Sequence, residues 1–142
     1  MIVLDTTVLV YAKGADHSLR DPCRRLISAV ADARIEATTT AEVIQEFAHV
    51  RARRRDVVEA AALAGDYAEL LSPLLVVARE QLDRGLSLFA SVAGIGAFDA
   101  ILAAAALTAD ATTLVSADRA FGRIDGFEHT FPDEQGISAL LG

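Results

Sequence analysis

Short apolar runs alternate along this chain with longer segments of helical periodicity. The runs, which read as buried strands, are Ile2-Val3-Leu4 and residues 35–39, 74–77, 112–116 and 128–131. Strands that alternate with helices predict a mainly parallel sheet joined by right-handed crossovers. The chain has 142 residues and is 53% hydrophobic, enough for one domain with a sizeable core. We therefore predict a single α/β domain over residues 1–142, with four or five short strands.

The segments between these runs carry signals of helix starts and ends. Asp21-Pro22 places a proline behind an acidic cap, and Thr39-Thr40-Ala41-Glu42 matches a capping box. Helical patterns follow over residues 7–13, 23–30, 41–55, 57–71, 79–92 and 98–109, with a turn over 117–121. Cys23 falls within the second of these patterns, where we predict a buried helix residue.

Composition and charge exclude several functional classes. Thirteen basic residues against 20 acidic ones give a net charge of −7, which excludes broad coating of nucleic acid through positive charge. The single cysteine allows no internal disulfide and no thiolate metal cluster, and the histidines lack zinc-type spacing. The single lysine, Lys13, is not part of a phosphate-binding Gly-Lys-Ser/Thr triplet. We see no signal peptide or membrane-spanning run, so we expect a cytoplasmic protein.

Four carboxylates are expected at one edge of the predicted sheet. Asp5 directly follows the first strand, and Asp118 follows the strand that ends at Ser116. Asp99 begins the apolar helix before that strand, and Glu46 lies on the helix after the second strand. Ligands bind beyond the carboxyl ends of parallel strands, and clustered acids are costly without a cation. An all-oxygen site of this kind suits Mg²⁺ or Mn²⁺.

Each acid also has a purely structural interpretation. Asp5 and Asp99 could cap the helices that follow them, and Asp118 could form an Asx turn. Glu46 could be a solvated helix residue. Glu42 shares a helix face with it, but the predicted capping box already gives Glu42 a structural role, which favours Glu46 as the functional acid. The argument for a site therefore depends on the four acids occurring together.

These residues lie in four segments that, in this order, resemble the PIN-domain ribonucleases, specifically the VapC-type toxins of bacterial toxin–antitoxin pairs. The segments are Ile2 to Tyr11, Val43 to Phe47, Phe98 to Ala106 and Thr113 to Phe121. By position, the four acids match the family's acidic quartet. Thr6 and Ser116 match hydroxyl residues that orient carboxylates or water. Ala120 departs from the family pattern, because an acid is often found there.

The resemblance implies a three-layer α/β sandwich and a metal-dependent endoribonuclease. One or two Mg²⁺ ions (Mn²⁺ as the alternative) would be held by Asp5 and Asp99, with Asp118 and Glu46 completing the site. Cleavage of transfer or ribosomal RNA would leave a 3′-hydroxyl and a 5′-phosphate. The implied partners are a VapB-like antitoxin and a second copy of the chain, in a homodimer and a toxin–antitoxin hetero-oligomer. Leu63, Leu70, Leu71 or the alanine-rich helices could form the dimer interface.

Four arginines fall within five residues at the end of the third helix: Arg51, Arg53, Arg54 and Arg55. They could simply complement the helix dipole and remain solvated. They could instead contact RNA phosphates or the antitoxin near the site. The arginines would place positive charge near the site, and each bound Mg²⁺ ion would add two more positive charges. The net negative charge of the chain would then be compatible with cleavage of RNA at this site.

Other functions remain open at this point. An RNA-processing nuclease outside a toxin system would use the same acids, and an upstream antitoxin gene would distinguish the two. A non-catalytic interaction module of the same fold would not bind metal. A nuclease for branched DNA is disfavoured because the chain lacks long insertions.

Overall fold

A computed structural model describes all 142 residues and contains one four-stranded sheet. The strands are β1 (Ile2–Leu4), β2 (Ala37–Thr38), β3 (Thr113–Val115) and β4 (Glu128–Thr130). They lie in the order β2-β1-β3-β4 and all pair in parallel, with Ile2 opposite both Ala37 and Thr113. Parallel neighbours need a long crossover connection, usually a helix, which is what the alternating sequence pattern predicted. The predicted α/β class and single mainly parallel sheet are confirmed.

Seven helices flank the sheet. They are α1 (Thr6–Lys13), α2 (Arg20–Ala31), α3 (Ala41–Arg54), α4 (Val57–Leu71), α5 (Arg79–Ser91), α6 (Ala97–Thr108) and α7 (Glu134–Leu141), with a 3₁₀ turn at Arg119–Arg123. The strands β1 and β3 are fully buried, and α6 is buried from Leu102 to Ala106. None of the helices combines the length and apolarity needed to cross a membrane.

One predicted strand, at residues 74–77, is wrong. Leu75 makes only an isolated bridge to Thr40, with its N–H donating to the Thr39 carbonyl at 2.9 Å. Val76 is 74% exposed, so the apolar run does not reflect burial. The second strand is also shorter than the predicted 35–39. A continuous apolar run does not by itself indicate whether a neighbouring strand is available to form backbone hydrogen bonds with it.

The predicted capping box at the start of α3 is displaced by one residue. The cap is Thr40, whose hydroxyl accepts a hydrogen bond from the Val43 N–H at 3.2 Å. The Thr39 hydroxyl instead donates to the Leu4 carbonyl at 2.7 Å and ties α3 to β1. Glu42 is therefore not the third helical residue, and the capping role that would set it apart from Glu46 does not exist.

The sequence pattern missed α7. Its signal was Asp133, whose side chain accepts from the Gly136 N–H at 2.8 Å, a common helix cap. Cys23 is buried on α2 as predicted, and burial raises the pKa of its thiol to about 12. That thiol therefore stays protonated and unreactive at neutral pH.

Candidate active site

The four predicted acids line one cavity of about 300 Å³, here called the acidic cavity. Asp5 is the residue between β1 and α1, and Asp118 lies three residues beyond β3. Because β1 and β3 are parallel neighbours, their carboxyl ends meet at the same edge of the sheet. α3 and α6 add Glu46 and Asp99. The complete lining is Asp5, Thr6, Thr7, Val10, Tyr11, Glu46, Val50, Asp99 and Asp118.

Ser116 connects two of these acids from below the cavity. Its hydroxyl donates to Asp5 Oδ2 at 2.6 Å and accepts from the Asp118 N–H at 2.9 Å. Ser116 is fully buried, so its side chain has no water to compete with these bonds. The residue therefore fixes the Asp5 carboxylate relative to the backbone that carries Asp118.

Two adjacent threonines at the start of α1 hold the other side of the cavity. The Thr6 hydroxyl donates to Glu46 Oε2 at 2.8 Å. The Thr7 hydroxyl donates to Asp5 Oδ2 at 3.3 Å and accepts from the Ala117 N–H at 3.0 Å. Thr7 was not singled out from the sequence. The available signal was the second hydroxyl in Asp5-Thr6-Thr7, but its partner at Ala117 is set only by the fold.

Burial and mutual repulsion perturb two of the acids. Burial is the main cause that raises the pKa of Asp5, and Glu46 adds to it, while the Ser116 hydroxyl opposes it. Burial also raises the pKa of Asp99 to about 7, with further contributions from Asp5, Asp118 and Glu46. No lysine or arginine lines the acidic cavity, and none of its four acids forms a salt bridge.

The donor set fits a hard divalent cation in chemistry and charge. Carboxylate oxygens are the ligands that Mg²⁺ and Mn²⁺ prefer, and a cation would relieve the repulsion that raises these pKa values. No group of three potential ligands anywhere in the chain is clustered with metal-binding spacing. The acids thus surround a shared space without converging on one point.

The structure supports the purely structural interpretation for Asp118 but not for Asp5 or Asp99. Asp5 occupies the cap position of α1 but its side chain makes no capping bond, and the cap of α6 is Gly96 rather than Asp99. Asp118 does form the Asx turn, with Oδ1 accepting from the Ala120 N–H at 2.9 Å. Glu42 lines a different cavity, beside Val77 and Phe98, which separates it from the acidic cavity.

The arginine cluster divides into two parts. Arg51 is 18% exposed and pairs with Glu59 of α4, while its Nη1 donates to the Lys13 carbonyl at 2.9 Å. It therefore joins α3 to its neighbours. Arg53, Arg54 and Arg55 are exposed. Val50 lines the acidic cavity and also a small adjoining cavity with Arg51 and Arg54, so the cluster lies next to the acids.

Comparisons with known proteins agree with this architecture. The PIN-domain family model matches residues 2–127, so the chain belongs to the PIN-domain family. Ribonuclease VapC7 of Mycobacterium tuberculosis (strain ATCC 25618 / H37Rv) is 57% identical over 146 aligned residues, covering 100% of this chain and 99% of the relative. Within the family the chain thus belongs with the VapC ribonucleases, and the resemblance inferred from the four acidic segments is confirmed.

More distant relatives extend the same pattern. Ribonuclease VapC13 from the same strain is 27% identical over 132 residues, covering 90% of this chain and 98% of the relative. A crystal structure of VapBC2 from Rickettsia felis, bound to a DNA fragment from their promoter, superposes with a TM-score of 0.69. It covers 91% of this chain and 97% of its own at 18% identity, and so supports the fold.

Proposed function

We propose that this VapC-family protein is a metal-dependent endoribonuclease that acts as the toxin of a toxin–antitoxin pair. The observation that carries the proposal is the acidic cavity itself. Four carboxylates, two just beyond the ends of β1 and β3 and two on α3 and α6, line it with no basic residue among them. Such an arrangement costs folding free energy and is explained by a cation that the site is built to receive.

Asp5 and Asp99 would hold the metal, with Glu46 and Asp118 completing the site directly or through water. A Mg²⁺ ion held there would lower the pKa of bound water and offset negative charge on the scissile phosphate. The Ser116 and Thr7 hydroxyls both donate to Asp5 Oδ2 and so hold the Asp5 carboxylate in place at the cavity wall. Thr6 fixes Glu46 in the same way. These hydrogen bonds orient the ligands before any ion arrives.

Substitution of the acids tests the nuclease directly. Asp99→Asn and Glu46→Gln keep the shape of each side chain but remove its charge, and we expect at least ~100-fold slower RNA cleavage in Mg²⁺ for Asp99→Asn. Glu42→Gln is the matched control, because Glu42 lies four residues earlier on α3 and lines a different cavity. Cleavage of a labelled RNA would be measured with Mg²⁺ and with chelator. Undiminished cleavage by Asp99→Asn would refute the assignment.

We propose a transfer RNA or ribosomal RNA as the target and a VapB-like antitoxin as the partner that blocks the acidic cavity. Sequencing of RNA 5′ ends after induced expression would identify the cleaved bond. Co-expression with the protein encoded immediately upstream should restore growth if that protein is the antitoxin. Growth arrest that this neighbour does not relieve would favour an RNA-processing role.

We also propose a homodimer, but through different residues from those that the sequence suggested. Leu71 is fully buried in the core and cannot form an interface, and Leu63 and Leu70 are partly buried and pack against that core. Leu82, Leu86 and Phe89 lie on α5 at helical spacing and are 37%, 45% and 47% exposed. We expect Leu86→Asp to shift the chain from dimer to monomer in sedimentation velocity without changing its circular dichroism. A wild-type monomer at micromolar concentration would contradict the proposal.

A further inference from the structure

An aromatic pair borders the acidic cavity and has no role in the chemistry described so far. Tyr11 of α1 is half-buried and lines the cavity. His17, in the loop after α1, packs against it with ring centroids 4.6 Å apart and planes 31° apart. Tyr11 is thus the one aromatic side chain among the residues that line the cavity.

The pair is held in place by the backbone. His17 Nδ1 accepts a hydrogen bond from the Leu19 N–H at 3.0 Å, and Leu19 is buried in the core. This bond fixes the orientation of an otherwise exposed imidazole ring against Tyr11. A ring that is ordered before binding loses little entropy when a flat ligand packs on it.

The rest of the lining shows which ligand such a surface would suit. The cavity has four carboxylates and, besides the two threonines, an apolar part formed by Val10, Tyr11 and Val50. A nucleotide has the matching division, because its phosphate needs the metal-binding acids and its base offers a flat apolar face. Single-stranded RNA is commonly bound by stacking its bases on aromatic side chains.

We infer that Tyr11, supported by His17, is a stacking surface for a nucleobase next to the scissile phosphate. The inference rests on the proposed nuclease function and adds to it a base-binding position. Every base has a π-face, so the contact contributes affinity and placement more than a sequence code. The contact forms in the bound ground state, so its loss acts mainly on KM.

A cycle between protein and RNA variants tests the contact. The probe is a single-stranded RNA oligonucleotide with the cleavage site found by 5′-end sequencing, intact or with an abasic nucleotide on either side of the cleaved bond. Tyr11→Leu keeps apolar bulk without a π-face, and Tyr11→Phe keeps the ring. We expect Tyr11→Leu to lose about 5- to 150-fold in kcat/KM on intact RNA, mostly through KM, while Tyr11→Phe stays near wild type.

The abasic RNA supplies the decisive comparison. At one of the two positions, base removal should cost the wild type a similar factor, and Tyr11→Leu should then lose almost nothing further. Fully additive losses at both positions would overturn the stacking surface while leaving the nuclease intact. A wild type that cleaves no RNA in Mg²⁺ would overturn both.

A second variant distinguishes loss of the stacking contact from misfolding of Tyr11→Leu. His17→Ala changes an exposed loop residue and should reproduce a smaller KM effect with an unchanged melting temperature. If His17→Ala is silent and Tyr11→Leu lowers kcat together with the melting temperature, the pair is a structural contact and the inference fails.

Discussion

Asp99 is the residue at which folding and the proposed metal binding most directly oppose each other. Burial and three neighbouring acids raise the pKa of Asp99 from an ordinary 3.8 to about 7. Between these values the folded protein binds more protons than the unfolded chain, so without metal the free energy of unfolding falls as pH rises from about 4 to 7. The charge that the site needs for a cation is therefore one that the metal-free fold resists.

Chemical denaturation at several pH values in chelator would measure this. We expect Asp99→Asn to lose part of the decline between pH 4 and 7 and to be the more stable protein at pH 8. Added Mg²⁺ should stabilise the wild type increasingly as pH rises to about 7 and by a constant amount above it, because binding requires the ionised carboxylate, and should stabilise the variant far less. Parallel pH profiles for the two proteins would show that Asp99 does not carry the effect.

At the scale of secondary-structure elements, α5 and α6 approach so closely that one glycine is required. A Cβ on Gly85 would lie 2.7 Å from Ile101 Cα and from Ile101 Cγ1. The first of these is a backbone atom, so the contact could be relieved only by moving the α5 and α6 backbones apart. Because α6 carries Asp99 two residues before Ile101, a shift of α6 would also disturb the acidic cavity.

We expect Gly85→Ala to lower the free energy of unfolding by about 1–3 kcal/mol and to reduce nuclease activity. Gly65 is the matched control, since it also lies inside a helix but a Cβ added to it would meet no atom within 4 Å. Gly65→Ala should stabilise α4 by about 0.5–1 kcal/mol. Urea denaturation of both variants measures the change in the free energy of unfolding. Equal changes would mean that the close approach of α5 and α6 does not require a glycine at position 85.

For the whole molecule, the net charge of −7 has to be reconciled with the proposed RNA substrate. Four of the acids line the acidic cavity, and three exposed arginines follow one another at the adjacent end of α3. A bound cation and this local positive charge would together attract phosphate against the overall field. RNA binding should consequently depend on these few charges near the cavity rather than on the net charge of the protein.

The salt dependence of RNA binding measures how many charged side chains contact phosphates. Replacing Arg53, Arg54 and Arg55 with alanine should reduce the slope of log Kd against log salt by up to ~2, at about 0.7 per phosphate contact for single strands. Arg51→Ala is a separate case, because Arg51 pairs with Glu59 and should affect stability instead. An unchanged slope in the triple variant would leave the three arginines as solvated helix-end charges.

The sequence was sufficient where a local pattern has one tertiary consequence. Alternation of strands and helices predicted a parallel sheet, and a parallel sheet places Asp5 and Asp118 at one edge. The sequence-based predictions were wrong where a residue's hydrogen-bonding partner lies far away along the chain. Residues 74–77 read as a strand but have little backbone to pair with, and Thr39 reads as a helix cap but bonds to β1.

By itself, then, the sequence predicted the class of fold, the family and four candidate acids that include Glu46, because the order of strands and motifs can be read along the chain. Only the tertiary structure decided that Glu42 lines a separate cavity, that Thr7 joins Asp5 to Ala117, and that Tyr11 borders the acids. The physical reason is that hydrogen bonds, burial and the resulting pKa values depend on which atoms of remote segments come into contact. That is settled by how the helices pack against the sheet.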